Sequence, residues 1–431
     1  MSTFQPVRGM RDLLPDEAER LTYVISKARE TAVTYGYKEV ITPIVEQLDL
    51  LAAKAGEEIR QRMFIFEDMG GRKVALRPEF TASIARLVTT VLRTEPKPLR
   101  IFGVGSVYRY DEPQKGRYRE FWQADFEVIG SNKPEADAEV ILLANNLLSR
   151  VGLKGYAIKL GHVGVLRNLL TQEGVDEKTQ NAILQLMDKK EYDAAFTLVD
   201  SSKCQTLLRG LLDLEGKNSF ETVQNLCTYV KDYPKALEAA QYLTSVLKLV
   251  TESGCSIETV DPAFARGLEY YTGVIFELYV PELNMALGGG GRYDKLIEVF
   301  GGEPTPATGM AAGIDRIVIA TLAQKTKLQK QALKRVVIVP TKDELKGEAL
   351  KIAQKLRDAE MPVEFEIMGR KMAKALEDAD KRKVDYVVIV GDRELKEGKV
   401  VVKDLIKRIQ SEVEIKDLKE KFANRETAAK N

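Results

Sequence analysis

Histidine is nearly absent from this sequence of 431 residues, which contains one, and cysteine occurs only three times. His162 follows the predicted strand YAIKLG and has no Ser or Cys near it in a triad-like relation, so we interpret it as structural. Cys204, Cys227 and Cys255 lack metal-ligand spacing and an obvious pairing, which predicts free thiols in a reducing cytoplasm. One histidine and three scattered cysteines also offer too few ligands for a structural zinc site.

Long apolar runs and an excess of one charge are absent too. No run approaches the roughly 18 apolar residues of a membrane helix, and the N-terminus, MSTFQPVRGMRDLLPDE, has no apolar core flanked by basic residues. We therefore expect neither a membrane span nor a secretory signal. Lys and Arg number 65 against 64 Asp and Glu, for a formal net charge of +1. Bulk charge thus does not indicate nucleic-acid binding, which would have to come from local basic patches.

What the sequence has is enough apolar material for a large core. Hydrophobic residues make up 44% and charged residues 30%, which predicts roughly two to four domains at this length. Between 163 and 253, Leu, Lys, Glu, Gln and Ala dominate and strand formers thin out. This segment predicts several short amphipathic helices, inserted on the surface of a larger domain.

The segment 107–130, VYRYDEPQKGRYREFWQADFEVIG, predicts an antiparallel hairpin, because two β-rich runs flank a turn rich in Pro, Gly and basic residues. Gln123 and Glu127 share one face of the second run by the period of two, and Arg109 belongs to the partner run. A carboxylate and an amide beside a guanidinium favour a ligand with both an amino group and an anionic group. A solvated outer face is the alternative.

The segments before this hairpin supply further candidates. Helical periodicity predicts a helix over 15–35, and YKEVITPI (37–44) predicts a strand in which Pro43 indicates an edge, an end or a bulge. An edge strand is either protected or paired with another chain, so a dimer contact is one interpretation. The pair Gly70-Gly71 predicts a tight hairpin between two short β runs. Glu79 either caps the helix that follows it or faces a ligand cation.

Two later blocks also concentrate polar chemistry. In ARGLEYYTGVIFELYV, Arg266 precedes a predicted core strand, and an arginine near a core needs an anionic partner. The four glycines 288–291 allow close backbone approach, but they match neither a dinucleotide fingerprint nor a P-loop. In GMAAGIDRIVIATLAQ, glycines open a predicted helix on which Arg316 either stacks on a base or pairs with Asp315 at the surface.

These blocks together resemble one family. RGLEYYTG (266–273) resembles the histidine-specific signature of histidyl-tRNA synthetases, and GGGGRYDKL resembles their second signature. YGYKEVITPIVE, YRYDEPQKGRYREFWQADFEVIG and GMAAGIDRI resemble the first, second and third motifs of class II aminoacyl-tRNA synthetases, in the same order. The resemblance covers residues 1 to about 321. Phe80, Trp122 and Glu269 depart from the residues usual in the family, which bears on the shape of the pocket.

The C-terminal hundred residues form a further α/β unit. The β runs RVVIVP, PVEFEI, DYVVIVG and KVVVKDL alternate with predicted helices, of which the last is LIKRIQSEVEIKDLKEKF. This alternation predicts a compact domain with a partly parallel sheet. Its pattern resembles the anticodon-binding domain of the same synthetase group.

The resemblance implies an α+β fold: a class II catalytic domain, whose antiparallel sheet is flanked by helices, with a helical insertion and the C-terminal α/β domain. The predicted divisions are catalytic residues 1–162 with motifs 1 and 2, insertion 163–253, catalytic residues 254–323 with the histidine signatures and motif 3, linker 324–334, anticodon-binding domain 335–421 and flexible tail 422–431. The implied enzyme is a ligase that activates histidine with ATP and transfers it to the 3′ end of tRNA-His. A cytoplasmic homodimer, without a membrane partner, is implied as well.

Roles for individual residues follow only from this resemblance. The histidine-binding set would be Glu79, Thr81, Gln123, Glu127, Tyr270 and Tyr271. Arg109 and Arg266 would be catalytic, gripping the α-phosphate and stabilising the charge that develops there. The ATP-binding set would be Arg109, Glu112, Arg117, Arg266 and Arg316, with 112–117 also touching the acceptor end of the tRNA. Mg²⁺ would accompany ATP, and no protein side chain is assigned to a metal.

Two other functions stay open at this stage. A catalytically silent relative, the regulatory subunit of ATP phosphoribosyltransferase, binds histidine in a similar pocket. That hypothesis predicts loss of the second-motif loop and of the C-terminal domain, yet YRYDEPQKGRYRE and a full α/β segment are both present. The other alternative is a synthetase for a different amino acid.

Overall fold

The structure, a computed structural model, describes residues 4–53, 59–267, 269–328 and 334–423. The chain divides into two compact units, residues 1–328 and 329–431. Residues 329–333 of the predicted linker and 424–431 of the predicted tail lie outside the described residues. In the described ranges, no helix is both long and apolar enough to cross a membrane.

The strands of the first unit form one large and one small sheet. In chain order they are β1 (Lys38–Glu39), β2 (Val45–Gln47), β3 (Ile65–Glu67), β4 (Lys73–Leu76), β5 (Leu99–Tyr108), β6 (Glu120–Ile129), β7 (Ala157–His162), β8 (Thr259–Val260), β9 (Val274–Val280), β10 (Met285–Arg292) and β11 (Ala307–Gly313). The large sheet has eight strands in the order β1-β5-β6-β11-β10-β9-β7-β8, and the small one has the order β2-β4-β3. Neighbours in the large sheet are antiparallel except at its two edges, where β1 pairs with β5 and β7 with β8 in parallel.

Helices cover this sheet and fill the predicted insertion. They are α1 (Pro15–Thr34), α2 (Leu48–Ala52), α3 (Thr81–Thr90), α4 (Pro134–Arg150), α5 (Val163–Gln172), α6 (Glu177–Asp188), α7 (Tyr192–Thr197), α8 (Ser202–Leu212), α9 (Ser219–Tyr229), α10 (Pro234–Glu252), α11 (Leu296–Val299) and α12 (Ile314–Ala323). Helices α1, α4 and α12 pack on the central strands, and α10 packs on α4 and α5. The buried rings of Phe102 and Phe126, with centroids 4.7 Å apart, lie in this core. The predicted α+β class, with a mainly antiparallel sheet flanked by helices, is confirmed.

Local predictions in this unit had mixed outcomes. Helix α1 and the β3–β4 hairpin occur where the sequence predicts them. The strand predicted over 37–44 is wrong beyond Lys38–Glu39, because the carbonyl oxygens of Thr42 and Pro43 accept hydrogen bonds from the Arg77 guanidinium instead of a neighbouring strand. The helix predicted to open at Gly309 begins only at Ile314, since residues 307–313 form a central strand between β6 and β10.

The second unit has its own five-stranded sheet, in the order β13-β12-β14-β15-β16, where β12 is Val336–Pro340, β13 Val363–Phe365, β14 Tyr386–Val390, β15 Lys399–Asp404 and β16 Ile409–Glu414. Strand β12 pairs in parallel with β13 and β14, whereas β15 is antiparallel to both of its neighbours. The predicted partly parallel sheet is therefore confirmed. The helices are α13 (Lys346–Arg357), α14 (Met372–Lys381), α15 (Asp392–Lys396) and α16 (Leu418–Ala423).

The helix predicted for LIKRIQSEVEIKDLKEKF is wrong over most of its length. The carboxylate of Asp404 accepts hydrogen bonds from the backbone N–H groups of Ile406 and Lys407, at 3.0 and 2.8 Å. These bonds reverse the chain, and residues 409–414 return as strand β16. The four-residue spacing of Ile409 and Val413 fits one face of a strand as well as one face of a helix, which explains the error.

Candidate active site

A cleft of about 620 Å³ opens over the middle of the large sheet. Gln123 and Glu127 of β6 both line it, which confirms that they share a face. Gly309 of β11 stands opposite Glu127, and a Cβ atom there would lie 1.5 Å from a carboxylate oxygen of Glu127. Likewise, a Cβ atom on Gly289 would lie 3.1 Å from the guanidinium of Arg266. The absence of side chains at Gly309 and Gly289 therefore leaves the space on the sheet that the Glu127 and Arg266 side chains occupy.

The structure brings together nearly all the side chains that the sequence singled out. The predicted residues that line the cleft are Glu79, Thr81, Arg109, Arg117, Gln123, Glu127, Arg266, Tyr270, Tyr271 and Arg316. Glu112, predicted to bind ATP, does not line it. Its side chain is 80% exposed and forms an ion pair with Arg8. The turn at 114–117 is closed by paired backbone hydrogen bonds, and Glu112, which precedes it, faces outward.

Glu79 contacts the start of helix α3 and also lines the cleft. One carboxylate oxygen accepts a hydrogen bond from the backbone N–H of Ala82, at 3.1 Å, and so caps the start of α3. The other oxygen lies 3.5 Å from the Tyr270 hydroxyl, on the cleft side. Burial raises the pKa of Glu79, because the charged form loses its hydration. A ligand cation in the cleft would restore the charged form.

Glu127 is held from two sides at the floor of the cleft. Thr81 donates its hydroxyl hydrogen bond to Glu127 at 2.9 Å, and the Tyr293 hydroxyl donates to the other carboxylate oxygen. Burial raises the pKa of Glu127 well above its usual value, and the neighbouring Asp125 adds to the shift. Like Glu79, Glu127 is therefore ready to bind a positively charged or hydrogen-donating group.

Two residues of this site were missed from the sequence. Tyr293 lies within the quoted signature GGGGRYDKL, and its ring centroid lies 5.7 Å from that of Tyr270. Asp125 has the same parity on β6 as Gln123 and Glu127 but lies beneath Phe80, whose backbone N–H it accepts at 3.3 Å. Burial raises the pKa of Asp125 well above its usual value. The period of two on β6 could have identified Asp125, whereas Tyr293 had no such signal beyond its motif.

Gln123 presents an unused hydrogen-bond acceptor. Its side-chain oxygen is buried and has no partner among the described residues. A buried polar atom without a partner costs on the order of 1–3 kcal/mol, so a ligand donor that reaches it would be favoured. The amide thus extends the polar set formed by Glu79 and Glu127.

The arginines of the cleft are held by carbonyl and carboxylate oxygens. Arg109 donates to the carbonyl oxygen of Pro78 at 2.9 Å, and Arg266 forms an ion pair with Glu277. Arg316 donates to the carbonyl oxygens of Gly116 and Ala286, at 3.1 and 3.0 Å. These contacts fix the planes of guanidinium groups that can grip phosphate oxygens.

Several cations share this part of the cleft. Burial lowers the pKa of Arg316, and the positive charges of Arg117 and Arg109 lower it further. Mutual repulsion of this kind is relieved by a polyanion. The surface pair considered for Arg316 does not form, because Asp315 accepts the backbone N–H of Trp122 at 2.6 Å and pairs with Arg11.

A buried ion pair supports the second signature from below. Arg292 Nη2 lies 2.8 Å from a carboxylate oxygen of Asp137 on α4, and the Tyr242 hydroxyl donates to the same oxygen at 2.7 Å. Both charged side chains are almost completely buried. Removing either partner of a buried ion pair destabilises a protein strongly. The pair with Asp137 therefore fixes Arg292 and thereby orients Tyr293 beside it.

Comparison with known proteins agrees with this geometry. A family model described as histidyl-tRNA synthetase matches residues 9–317, and one described as an anticodon binding domain matches residues 335–425. The chain is 42% identical to the histidine–tRNA ligase of Methanocaldococcus jannaschii, over 96% of this chain and 98% of that protein. It is 36% identical to that of Sulfolobus acidocaldarius, over 98% of this chain and 99% of that protein.

Solved structures show the same architecture. A Bacillus halodurans protein described as an ATP phosphoribosyltransferase regulatory subunit/histidyl-tRNA synthetase superposes with a TM-score of 0.74 at 28% identity, covering 88% of this chain and 97% of that one. A histidyl-tRNA synthetase from a Nostoc species has a TM-score of 0.78 at 23% identity, covering 98% and 99%, and shows the fold alone. With the family model matching most of its length, the chain belongs to the histidyl-tRNA synthetase family.

Proposed function

We propose that the protein is a histidine–tRNA ligase, which forms histidyl-adenylate from histidine and ATP and then transfers histidine to the 3′ end of tRNA-His. The observation that carries this is a single cleft lined by buried carboxyl, amide and hydroxyl groups and by several guanidinium groups. The first set suits an amino acid with an ammonium group and an imidazole. The second suits the phosphates of ATP. Because the chain belongs to the histidyl-tRNA synthetase family, we assign both sets of residues to one reaction between histidine and ATP.

The histidine substrate would be held by the residues around β6 and α3. Its ammonium group would contact Glu79, Thr81 and Gln123, and its imidazole would reach Glu127 beside the rings of Tyr270 and Tyr271. Because burial raises the pKa of both carboxyl groups, binding the cationic substrate favours their ionised forms. Binding of histidine is thus expected to release protons from the site.

ATP would lie along the arginines. Arg109 would grip the α-phosphate, Arg266 would stabilise charge at the α-phosphorus, Arg117 would contact the outer phosphates and Arg316 would stack on adenine. Mg²⁺ would arrive with ATP, whose phosphate oxygens are its natural ligands. Among the described residues no group of three or more metal-ligating side chains comes together. Glu112 stays a proposed ATP contact, and in the structure it forms an exposed ion pair with Arg8.

The remaining partners are the tRNA anticodon and a second copy of the chain. The second unit would bind the anticodon of the tRNA, as its family model is described. A second copy of the chain would cover an apolar surface around the small sheet, where several large hydrophobic side chains are exposed: Ile41, Ile44, Val45, Ile65, Phe66 and Met69. Strand β3 forms an edge of that sheet. Edges and apolar patches of this kind are commonly covered in an assembly. We also propose that the enzyme works in the cytoplasm.

The regulatory-subunit hypothesis has one observation in its favour, the description of the Bacillus halodurans neighbour. A purely regulatory, histidine-binding chain has no need of arginines that can grip phosphates, yet Arg109, Arg117, Arg266 and Arg316 all line the cleft. The two functions are separated by pyrophosphate exchange with ATP, measured across the amino acids. A ligase exchanges with histidine, a regulatory subunit with none, and a synthetase of other specificity with another amino acid.

The Arg266→Ala variant tests the assigned site. We expect it to lose pyrophosphate exchange by at least about a hundredfold, because a charge-assisted bond to a developing oxyanion is removed, while circular dichroism and thermal unfolding stay close to those of the unmodified protein. Arg209→Ala is the matched control, since Arg209 is exposed and contacts the insertion residues Asp193, through an ion pair of 3.2 Å, and Phe196, whose ring its guanidinium covers. Undiminished exchange by Arg266→Ala would remove its role.

A further inference from the structure

The loop that carries Arg266, Tyr270 and Tyr271 is held by the helical insertion. Helix α6 of the insertion ends beside this loop, and Asp188, at its last turn, lines the same cleft. The backbone N–H of Gly267 donates to the Asp188 carboxylate at 2.9 Å. Burial opposes the charged form of Arg266, but the negative charge of Glu277, with a smaller contribution from Asp188, raises its pKa. One end of the loop is thus fixed to the insertion next to the proposed catalytic arginine.

The other end is fixed through Glu269. Its two carboxylate oxygens accept hydrogen bonds from the side-chain amides of Gln185, at 3.0 Å, and Asn181, at 3.4 Å, one turn apart on α6. Arg167 of α5 donates both to the Asn181 side-chain oxygen, at 2.9 Å, and to the carbonyl oxygen of Glu269, at 3.3 Å. The amides and the guanidinium therefore form a cradle for one carboxylate.

This arrangement links the insertion to the histidine pocket. Glu269 is adjacent to Tyr270, whose hydroxyl lies against Glu79 and whose ring centroid lies 4.9 Å from that of Tyr271. If the cradle were lost, the loop would keep its backbone connections but lose the contacts that set the position of both rings. Effective binding and catalysis depend on such positioning to within about an ångström.

We propose that α6 is a positioning element for amino-acid activation, in which Gln185 and Asn181 hold Glu269 and so keep Tyr270 and Tyr271 in place for histidine. The insertion would then act in the first half-reaction, before any tRNA is bound. This inference rests on the proposed function. Gln185 and Asn181 touch neither substrate in it and act only through the loop.

The test is pyrophosphate exchange by Gln185→Ala in the full chain, without tRNA. We expect the KM for histidine to rise about tenfold, the effect of removing a hydrogen bond to a charged group, while the KM for ATP changes less than twofold. Gln180→Ala is the matched control on the same helix, because the Gln180 amide donates within the insertion, to Thr171 and to the carbonyl oxygen of Val175. If a general weakening of α6 were responsible, Gln180→Ala would raise the KM for histidine equally, and the proposal would be overturned.

A reciprocal exchange of groups gives a second, independent readout. Gln185→Glu places a carboxylate against Glu269 and should raise the KM for histidine more than Gln185→Ala does, because like charges repel. Combining Gln185→Glu with Glu269→Gln restores an amide beside a carboxylate, and we expect the KM to recover most of the loss. Failure of the double variant to recover, or unchanged kinetics of Gln185→Ala, would each overturn the proposal. The unmodified protein separates the two questions: absence of histidine-dependent exchange in it contradicts the proposed function itself.

Discussion

At the scale of single residues, the lone histidine is the clearest case of a side chain whose environment decides its role. His162 is buried at the start of α5, where its Nδ1 atom accepts the backbone N–H of Gly164 at 3.1 Å. Burial lowers its pKa to about 3, with a further contribution from Arg292. A neutral ring is required, since only the unprotonated nitrogen can accept this bond. The structural role predicted from the sequence takes the specific form of a helix cap.

This lowered pKa predicts how stability depends on pH. The unfolded chain binds a proton at His162 near pH 6.5, whereas the folded chain does not until about pH 3, so this contribution to stability is present above pH 6.5 and declines as the pH falls. The linkage amounts to roughly 2 kcal/mol between pH 7 and pH 5. His162→Asn keeps a capping oxygen without a titrating ring. We expect its free energy of unfolding, relative to the unmodified protein, to rise by about that amount in urea titrations at pH 5. An equal difference at both pH values would contradict the assignment.

Comparing the variant with the unmodified protein cancels other titrating groups. Burial raises the pKa of Glu79, Asp125 and Glu127, so their contribution runs in the opposite sense: it is present at low pH and declines as the pH rises through their raised values. These groups are the same in both proteins. Only the His162 contribution remains in the difference.

Residue-level prediction succeeded where a period or a motif fixed the side chain. Gln123 and Glu127 follow from the alternation of β6, and the same alternation includes Asp125. The position of Glu112 could not be predicted, because the direction of a side chain in a turn depends on backbone bonds and on partners distant in sequence, here Arg8. Tyr293 could not be separated from the rest of its motif without knowing that Glu127 lies across the sheet.

At the scale of elements, the central strands show why glycine recurs in the sheet. Gly309→Ala would place a methyl group where the Glu127 carboxylate lies, at 1.5 Å from its oxygen. We expect Glu127 to be displaced and kcat/KM for histidine in pyrophosphate exchange to fall by at least about a hundredfold. Displacing a buried charged group from its hydrogen bonds costs several kcal/mol.

A matched glycine lies in an open position. A Cβ atom on Gly347, in helix α13, would meet nothing within 4 Å, and alanine favours a helix by about 1 kcal/mol over glycine. Gly347→Ala should therefore leave the exchange kinetics unchanged and raise the unfolding temperature of its unit slightly. Normal histidine kinetics in Gly309→Ala would show that Glu127 does not need its present position.

Element boundaries were predictable where one period dominated and unpredictable where two were compatible. In helix α1, Leu21, Val24, Ile25 and Ala28 recur at helical spacing and are buried, and the helix occurs as predicted. The apolar residues of 405–422 have spacings that fit either a helix or a strand. The Asp404 carboxylate stabilises a turn at the start of this segment, and the chain continues as strand β16. Strand β11 consists mostly of small residues, which are compatible with either a helix or a strand. Its pairing with β6 and β10 makes it a strand.

At the scale of the whole molecule, the proposed dimer makes a direct prediction. Sedimentation or light scattering of the full chain should give twice the mass of one chain, 48.2 kDa. Introducing charge into the apolar surface with Phe66→Asp should shift the mass toward one chain, because an unpaired charge at the centre of an interface is strongly unfavourable. Phe220→Asp is the comparison, at an exposed ring on helix α9 of the insertion. A single-chain mass for the unmodified protein at micromolar concentration would contradict the proposal.

The order of strands in the large sheet could not have been deduced from periodicity, since it depends on pairing between distant segments. The class resemblance implied an antiparallel sheet, and the structure adds that β11 and β10 lie between β6 and β9. The division of the chain between residues 328 and 329 falls where the sequence becomes polar. Local sequence patterns do not show which distant segments pair with each other.

That strand order has a consequence for how the chain is made. Strand β6 pairs on one side with β5, which precedes it closely, and on the other with β11, which is translated only after the entire insertion. Until residue 313 has left the ribosome, one edge of β6 is unpaired, and the pocket lacks the part of its floor that β11 forms. This interval exposes a strand edge to other nascent chains. Histidine would stabilise the complete fold by binding to it, but during this interval the chain lacks a complete histidine site.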